Sequence, residues 1–269
     1  GLRMVSRPVA PGDAPQRDSA YAQGIWENNQ IYESTMAGID GDHWFAATLR
    51  GEPTATSTVQ DRLTISVSYP LPFLSDNFAT SSFTVTGSAR TQATNQLRIE
   101  VADASETLIW TNSRYYENWQ QTLSSPVSAS VLNLLLLPGD LYNELRVDKV
   151  YWRQPVALNF QAQGAAFTGM DGIGRYHLTA LPANGALYDV TEPRHPQILD
   201  TAWSTEVEFQ DGPAPRSYLV SGPGTLHTPT LVRHTPVTFH SSLGADVIYV
   251  APGPFHDELA PLVAHRQQQ

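Results

Sequence analysis

The residues of this chain best suited by type and spacing to bind something are aromatic. Trp110, Tyr115, Tyr116 and Trp119 fall close together, interleaved with Thr111, Asn112, Arg114, Asn118 and Gln120. Aromatic faces stack on the apolar C–H faces of a sugar while amides bond its hydroxyls. Trp110, Tyr115, Tyr116, Asn118 and Trp119 are therefore the candidate ligand-binding residues, with carbohydrate as the ligand class. The same residues also suit a long inter-strand loop folded over a β-core, its rings filling the core edge. Trp44 and Trp152 are expected to be core residues.

Asp40-Gly41-Asp42 sets two carboxylates on a glycine loop. Hard cations take oxygen ligands, so a structural calcium at Asp40 and Asp42 is the one metal expectation. An Asx turn leading into a strand at Trp44 is the plainer reading. No other cofactor is expected. His227, His234 and His240 lack zinc-site spacing, and no His-Glu-x-x-His occurs. Glu206 and Glu208, two apart in a strand, share one face, whereas glycosidases oppose their carboxylates across a substrate. The chain has no Gly-x-Ser-x-Gly nucleophile elbow. It has no cysteine, which removes thiolate nucleophiles, thiolate metal sites and disulfides. No catalytic residue is assigned, and the chain by itself is not expected to be an enzyme.

Charge narrows the partners. Sixteen basic residues against 26 acidic ones give a formal net charge of −10 over 269 residues. Neither nucleic acid nor an anionic lipid surface suits such a chain. The only lysine is Lys149, taken as a compositional bias. The longest aliphatic run, Val131 to Leu137, is broken by Asn133 and falls short of the ~20 residues a membrane helix needs, so no membrane insertion is expected.

Period-two patterning dominates the middle of the chain. Leu63, Ile65, Val67 and Tyr69 alternate with polar residues, as do Leu97, Ile99 and Val101. Shorter strands are predicted over Phe83–Thr86 and Thr107–Trp110, and a strand buried on both faces over Val131–Leu137. In Leu145, Val147, Val150 and Trp152 the alternation slips after Val147, as a β-bulge would make it. Turn residues punctuate these runs at 70–72, 86–88, 102–105 and 138–140. The fold class is mainly β: a linker or extended arm over 1–26, a jelly-roll-like β-sandwich over 27–156, and a smaller all-β domain over 157–240. Residues 241–269 change character. Val247–Ala251 has the all-apolar texture of a strand in a parallel sheet. Phe255 to Gln269 has helix composition, the regular helix starting late with Pro261 in its first turn and matching its dipole with Asp257, Glu258 and Arg266. One strand and one helix cannot bury a core, so this segment is expected to be the truncated opening of an α/β domain. Gly1-Leu2-Arg3-Met4-Val5 has no signal-peptide h-region, and both ends have the look of cuts through a longer protein.

Several segments, in order, resemble gingipain-family cysteine peptidases and the related sortase-like component of type IX secretion. They are Glu27–Tyr32 with His43-Trp44-Phe45, Leu137–Asp140 through Asn143 into Val147–Arg153, Leu187–Pro196, and Ala245–Pro252 with Phe255, Leu262 and His265-Arg266. The resemblance covers about residues 27–269. It implies the non-catalytic N-terminal β region of such a peptidase plus the first strand and helix of a caspase-like catalytic domain. The catalytic His and Cys of that family lie beyond this chain, so none is carried over. It further implies a secreted or cell-surface setting. The downstream catalytic domain would be the main partner, with carbohydrate or a protein substrate as others. A carbohydrate-binding module and an inhibitory pro-segment are the alternative roles.

Overall fold

Apolar alternation decides where most strands form. The computed structural model describes residues 4–52, 58–74, 79–90, 94–111, 116–139, 142–222, 232 and 252–267. They divide into two units, Gly1–His227 and Thr228–Gln269.

In the first unit the chain begins with β1 (Val5–Pro8), β2 (Gln16–Arg17) and β3 (Ser19–Glu27). Two short strands follow, β4 (Ile31–Tyr32) and β5 (Trp44–Phe45), then β6 (Ala47–Gly51), β7 (Asp61–Ser66) and β8 (Ser81–Ala89). Next come β9 (Thr94–Val101), β10 (Ala104–Thr111), β11 (Glu117–Ser125), β12 (Val131–Leu136) and the long β13 (Asn143–Ala157). The later strands are β14 (Ala165–Thr168), β15 (Gly174–Leu178), β16 (Ala186–Asp189), β17 (Gln197–Asp200), β18 (Val207–Asp211) and β19 (Ser217–Ser221). The molecule is mainly β and built as a sandwich, as the patterning predicts.

A ten-stranded sheet runs in the order β1-β17-β16-β19-β14-β3-β13-β8-β11, with β6 also on β13. A four-stranded sheet, β10-β9-β12-β7, packs on it, with β10 against β11 and β7 and β12 against β6. Leu97, Ile99 and Val101 on β9 and Leu132, Leu134 and Leu136 on β12 are all fully buried between these layers. Each such side chain contributes about 1.5–3 kcal/mol by leaving water. Trp110 on β10 meets Trp119 on β11 across the layers at 5.7 Å between ring centroids. A three-stranded sheet, β18-β15-β2, lies over the later strands. Its Tyr176 and Phe209 pack with Phe167 of β14 and Tyr218 of β19 into one aromatic cluster.

β13 is the longest of the described strands and pairs with β3, β6 and β8. It pairs with β3 from Lys149 to Ala157 and with β8 from Leu145 to Arg153. The expected boundary near residue 156 falls at the end of this strand. Pro155 sits within it because its carbonyl, and hence its missing N–H, faces the segment at Leu74, away from the β3 ladder. The slip read from the sequence is real: Val147 pairs with Gly87 and Lys149 with Thr86, so Asp148 is an extra, bulged residue.

The segment 1–26 contributes β1, β2 and nearly all of β3. Ala20 and Ala22 of β3 are fully buried, and Gly24 lies against the Trp152 ring. A strand whose inward residues are small shows little hydrophobic alternation, which hides it from a pattern search. β11 was hidden likewise: Trp119 and Leu123 are buried, but polar residues surround them. Trp152 is in the core as expected. Trp44 is not: it is 41% exposed, while its neighbour Phe45 is fully buried. In a two-residue strand only one side chain can face inward, and Trp44 instead packs on Tyr32 at 5.1 Å.

In the second unit, a 3-10 turn at Gly253–Phe255 leads into one helix, α1 (His256–Arg266). The helix starts ahead of the place that Pro261 suggested, leaving that proline inside it. Asp257 and Glu258 lie in its first turn, and His265 and Arg266 in its last, as the helix dipole favours. The expected strand Val247–Ala251 lies outside the described residues. Among the described residues no helix is long and apolar enough to cross a membrane.

Candidate functional site

Of the aromatic candidates, Trp119 and Trp110 face inward and Tyr116 and Asn118 outward. Trp119 is 5% exposed, and its ring fills the space over Gly87. Trp110 is half-buried beside it. The indole N–H groups of both have no hydrogen-bond partner among the described residues. Tyr116 is exposed, in a left-handed conformation with φ 63°. Its hydroxyl hydrogen-bonds with Arg90. Asn118 is exposed and accepts a hydrogen bond from Ser88. Tyr115 lies outside the described residues. The described rings, Trp110, Tyr116 and Trp119, do not form one continuous exposed platform: the strand period of two sends Trp119 in and its neighbours Asn118 and Gln120 out.

The acidic loop is held more firmly. Gly41, at φ 88°, makes a turn that L-residues rarely adopt. The backbone N–H of Asp42 donates to Asp40 Oδ1 at 3.2 Å, and that of Trp44 to Asp42 Oδ1 at 2.9 Å. The N–H of Gly38 donates to the Asp42 carbonyl at 2.7 Å. This loop lies on the β13 bulge. Asp40, Asp42 and Asp148 bring their carboxylate oxygens within 4.8 Å of one another. A Cβ at Gly38 would stand 3.1 Å from Asp148 Oδ2, so the loop and the bulge touch closely.

Lys149, next along β13, forms an ion pair with Asp40 and lies 3.9 Å from Asp148 Oδ1. Thr86 of β8 donates to Asp148 Oδ2 at 3.2 Å. Burial pushes the Asp148 carboxyl up to about 6, with Lys149 opposing the shift and the charges of Asp40 and Asp42 adding to it. The hydrogen bond from Lys149 holds Asp40 below the usual carboxylate range. Burial works to lower the Lys149 ammonium, but its bond to Asp40 and the charges of Asp148 and Asp40 win, and it is raised. Sequence reasoning found Asp40 and Asp42 but not Asp148 or Lys149. The signals were the bulge and a solitary lysine.

A second charged network closes the other end of the sheet. Arg7 of β1 bonds Asp211 at 2.8 Å and reaches Asp189 at 3.3 Å. Arg216 bonds Asp189 at 2.8 Å, and the Tyr218 hydroxyl donates to Asp211 at 2.6 Å. Burial opposes ionisation of Asp211, but the hydrogen bonds from Arg7, Tyr218 and Gly212 outweigh it and hold its carboxyl low. Asp189 is lowered in the same way, burial being overcome by bonds from Thr191 and Arg216. No sequence motif announced this network. Glu208 pairs opposite His177 in the β15–β18 ladder, and Glu206 precedes β18 with its carboxylate 3.6 Å from His177 Nε2. His227, His234 and His240 lie outside the described residues.

No protein-family model and no curated protein sequence matches the chain. Among solved structures, it is similar to dimeric latent PorU from Porphyromonas gingivalis, with a TM-score of 0.61 and 11% identity. That likeness covers 87% of this chain and 23% of PorU, so the chain spans about a quarter of that protein. At this identity the likeness is one of fold. A family 35 carbohydrate binding module from an environmental isolate aligns at TM-score 0.32 and 17% identity, over 52% of this chain and 97% of the module. The glycoside hydrolase domain of Endo-D from Streptococcus pneumoniae R6 aligns at 0.23 and 13%, over 77% and 33%. Those two scores are too low to bear on the fold.

Proposed function

We propose that this chain is the non-catalytic N-terminal β region of a gingipain-like cysteine peptidase, where it supports, positions or regulates a downstream catalytic domain. The observation that carries this reading is the fold likeness to latent PorU, which takes in most of this chain and only a quarter of that one. The composition agrees: with no cysteine, the chain has no thiolate to attack a peptide carbonyl. On this reading α1 is the first helix of the catalytic layer, and the protein works in a secreted or cell-surface setting.

The test is association in trans. The polypeptide encoded after residue 269 is produced separately and mixed with this chain. A one-to-one complex on gel filtration is expected, and no peptide hydrolysis by this chain alone. A downstream polypeptide that lacks a strand-end His and Cys, or that does not associate at micromolar concentration, overturns the proposal.

A further inference from the structure

We infer that Asp40, Asp42 and Asp148 form a binding site for a divalent cation of the calcium type, which fastens the loop before β5 to the bulge of β13. Two acidic residues on a glycine loop would not suffice, because exposed aspartates on turns are common. The third carboxylate changes the argument. Asp148 arrives from a separate strand, its side chain is 1% exposed, and its Oδ1 accepts no hydrogen bond among the described residues. A buried carboxylate oxygen without a donor is costly unless something cationic faces it. The Lys149 ammonium stands 3.9 Å from this oxygen, and one carboxylate oxygen each of Asp40, Asp42 and Asp148 lie within 4.8 Å of one another.

Lys149 supplies part of the needed charge, but not all of it. Its ammonium is engaged with Asp40 and stands 3.9 Å from Asp148 Oδ1, beyond hydrogen-bond reach. Three carboxylates against one ammonium leave two negative charges uncompensated, which is the charge of one divalent ion. The donors are all oxygens, and no thiolate exists in the chain, so the chemistry selects a hard cation. Backbone bonds already aim one oxygen each of Asp40 and Asp42, which spares the ordering cost of gathering ligands from a loose loop. The bulge supplies the rest: an extra residue in β13 sends Asp148 and Lys149 together toward the loop, where regular alternation would send them apart.

The test uses the whole chain, Ca²⁺ and Tb³⁺. Trp44, whose backbone N–H is bonded to Asp42, is close enough to sensitise terbium emission. After dialysis against a chelator, Tb³⁺ is expected to give saturable one-to-one emission excited through tryptophan, displaced by Ca²⁺. Ca²⁺ is expected to raise the melting temperature. Asp148→Asn and Asp42→Asn should each weaken binding by about tenfold or more, while Asp103→Asn in the β9–β10 turn leaves it unchanged. Asp42 is on the loop, so its variant keeps the test valid should Asp148→Asn fail to fold. No emission and no melting shift up to roughly 10 mM Ca²⁺, above the range of weak extracellular sites, overturns the inference. Binding that survives both variants also overturns it.

Discussion

Gly87 of β8 lies so close to Trp119 of β11 that a methyl group on its Cα would stand 2.5 Å from the indole Cζ2. The same methyl would stand 2.2 Å from the backbone carbonyl oxygen of Arg146. The ring is thus seated on bare backbone, and its place depends on the missing side chain.

Gly87→Ala is expected to destabilise the first unit by about 1–3 kcal/mol, the usual cost of overpacking. Trp119→Ala is expected to cost about 3–5 kcal/mol, as large buried rings do when removed. Urea unfolding followed by circular dichroism measures both. A Trp119→Ala protein as stable as the parent would mean that the ring is not part of the packing.

Acid should loosen the end of the sheet where β1 pairs with β17. Asp189 and Asp211 are held below their ordinary values in the fold. Such groups stabilise the protein above the unfolded value, about 3.9, and lose that contribution as the pH falls through the lower folded value. Stability should therefore hold from neutrality to about pH 5 and fall below about pH 4. Arg7→Met is expected to cost about 1.5–3 kcal/mol at pH 7 and to shrink the acid-induced loss. Melting temperatures between pH 3 and 7 for both proteins decide it.

Lys149 is the only lysine, and its side chain is 9% exposed. An amine-acylating reagent should therefore modify the native protein at its amino terminus and reach Lys149 only on unfolding. Asp40→Asn, which removes the ion pair, should speed labelling of Lys149. Peptide mass spectrometry reads the site and rate, and rapid acylation of Lys149 in the native parent would contradict the burial.

Tyr69 donates to the carbonyl of Ala166, tying the segment after β7 to β14. Burial pushes its hydroxyl up to about 12, with the bond to Ala166 opposing the shift. A phenol raised in the fold contributes stability below the unfolded value near 10, and that contribution is lost as the pH rises through the folded value. Ultraviolet titration should show Tyr69 ionising later than an exposed tyrosine. Tyr142, Tyr176 and Tyr218 are raised as well, so Tyr69→Phe should lower the number of late-ionising phenols by one and cost about 1 kcal/mol.

Sequence reading recovered the strands whose inward residues are large. β9 and β12 announced themselves through Leu97, Ile99 and Leu134, and the bulge through the slip after Val147. It lost β3, where alanine and glycine do the packing, because small residues carry little hydrophobic contrast. It lost the Arg7 network because its members come from β1, β16, β18, β19 and the residue before it, far apart in the chain. Half of the acidic cluster was legible in Asp40-Gly41-Asp42. The other half was not, since only the fold brings Asp148 across to it, and a lone lysine looked like composition until its neighbours were known.

The length of β13 has a consequence for how the protein is made. β3 is made well before its main partner, residues 149–157, and β1 must wait for residues 197–200. Until residues 149–157 have been made, β3 is an open edge able to pair with neighbouring nascent chains. Slow closure is built into this connectivity, and a holding chaperone would serve β1 and β3 more than the strands that pair with near neighbours in the chain.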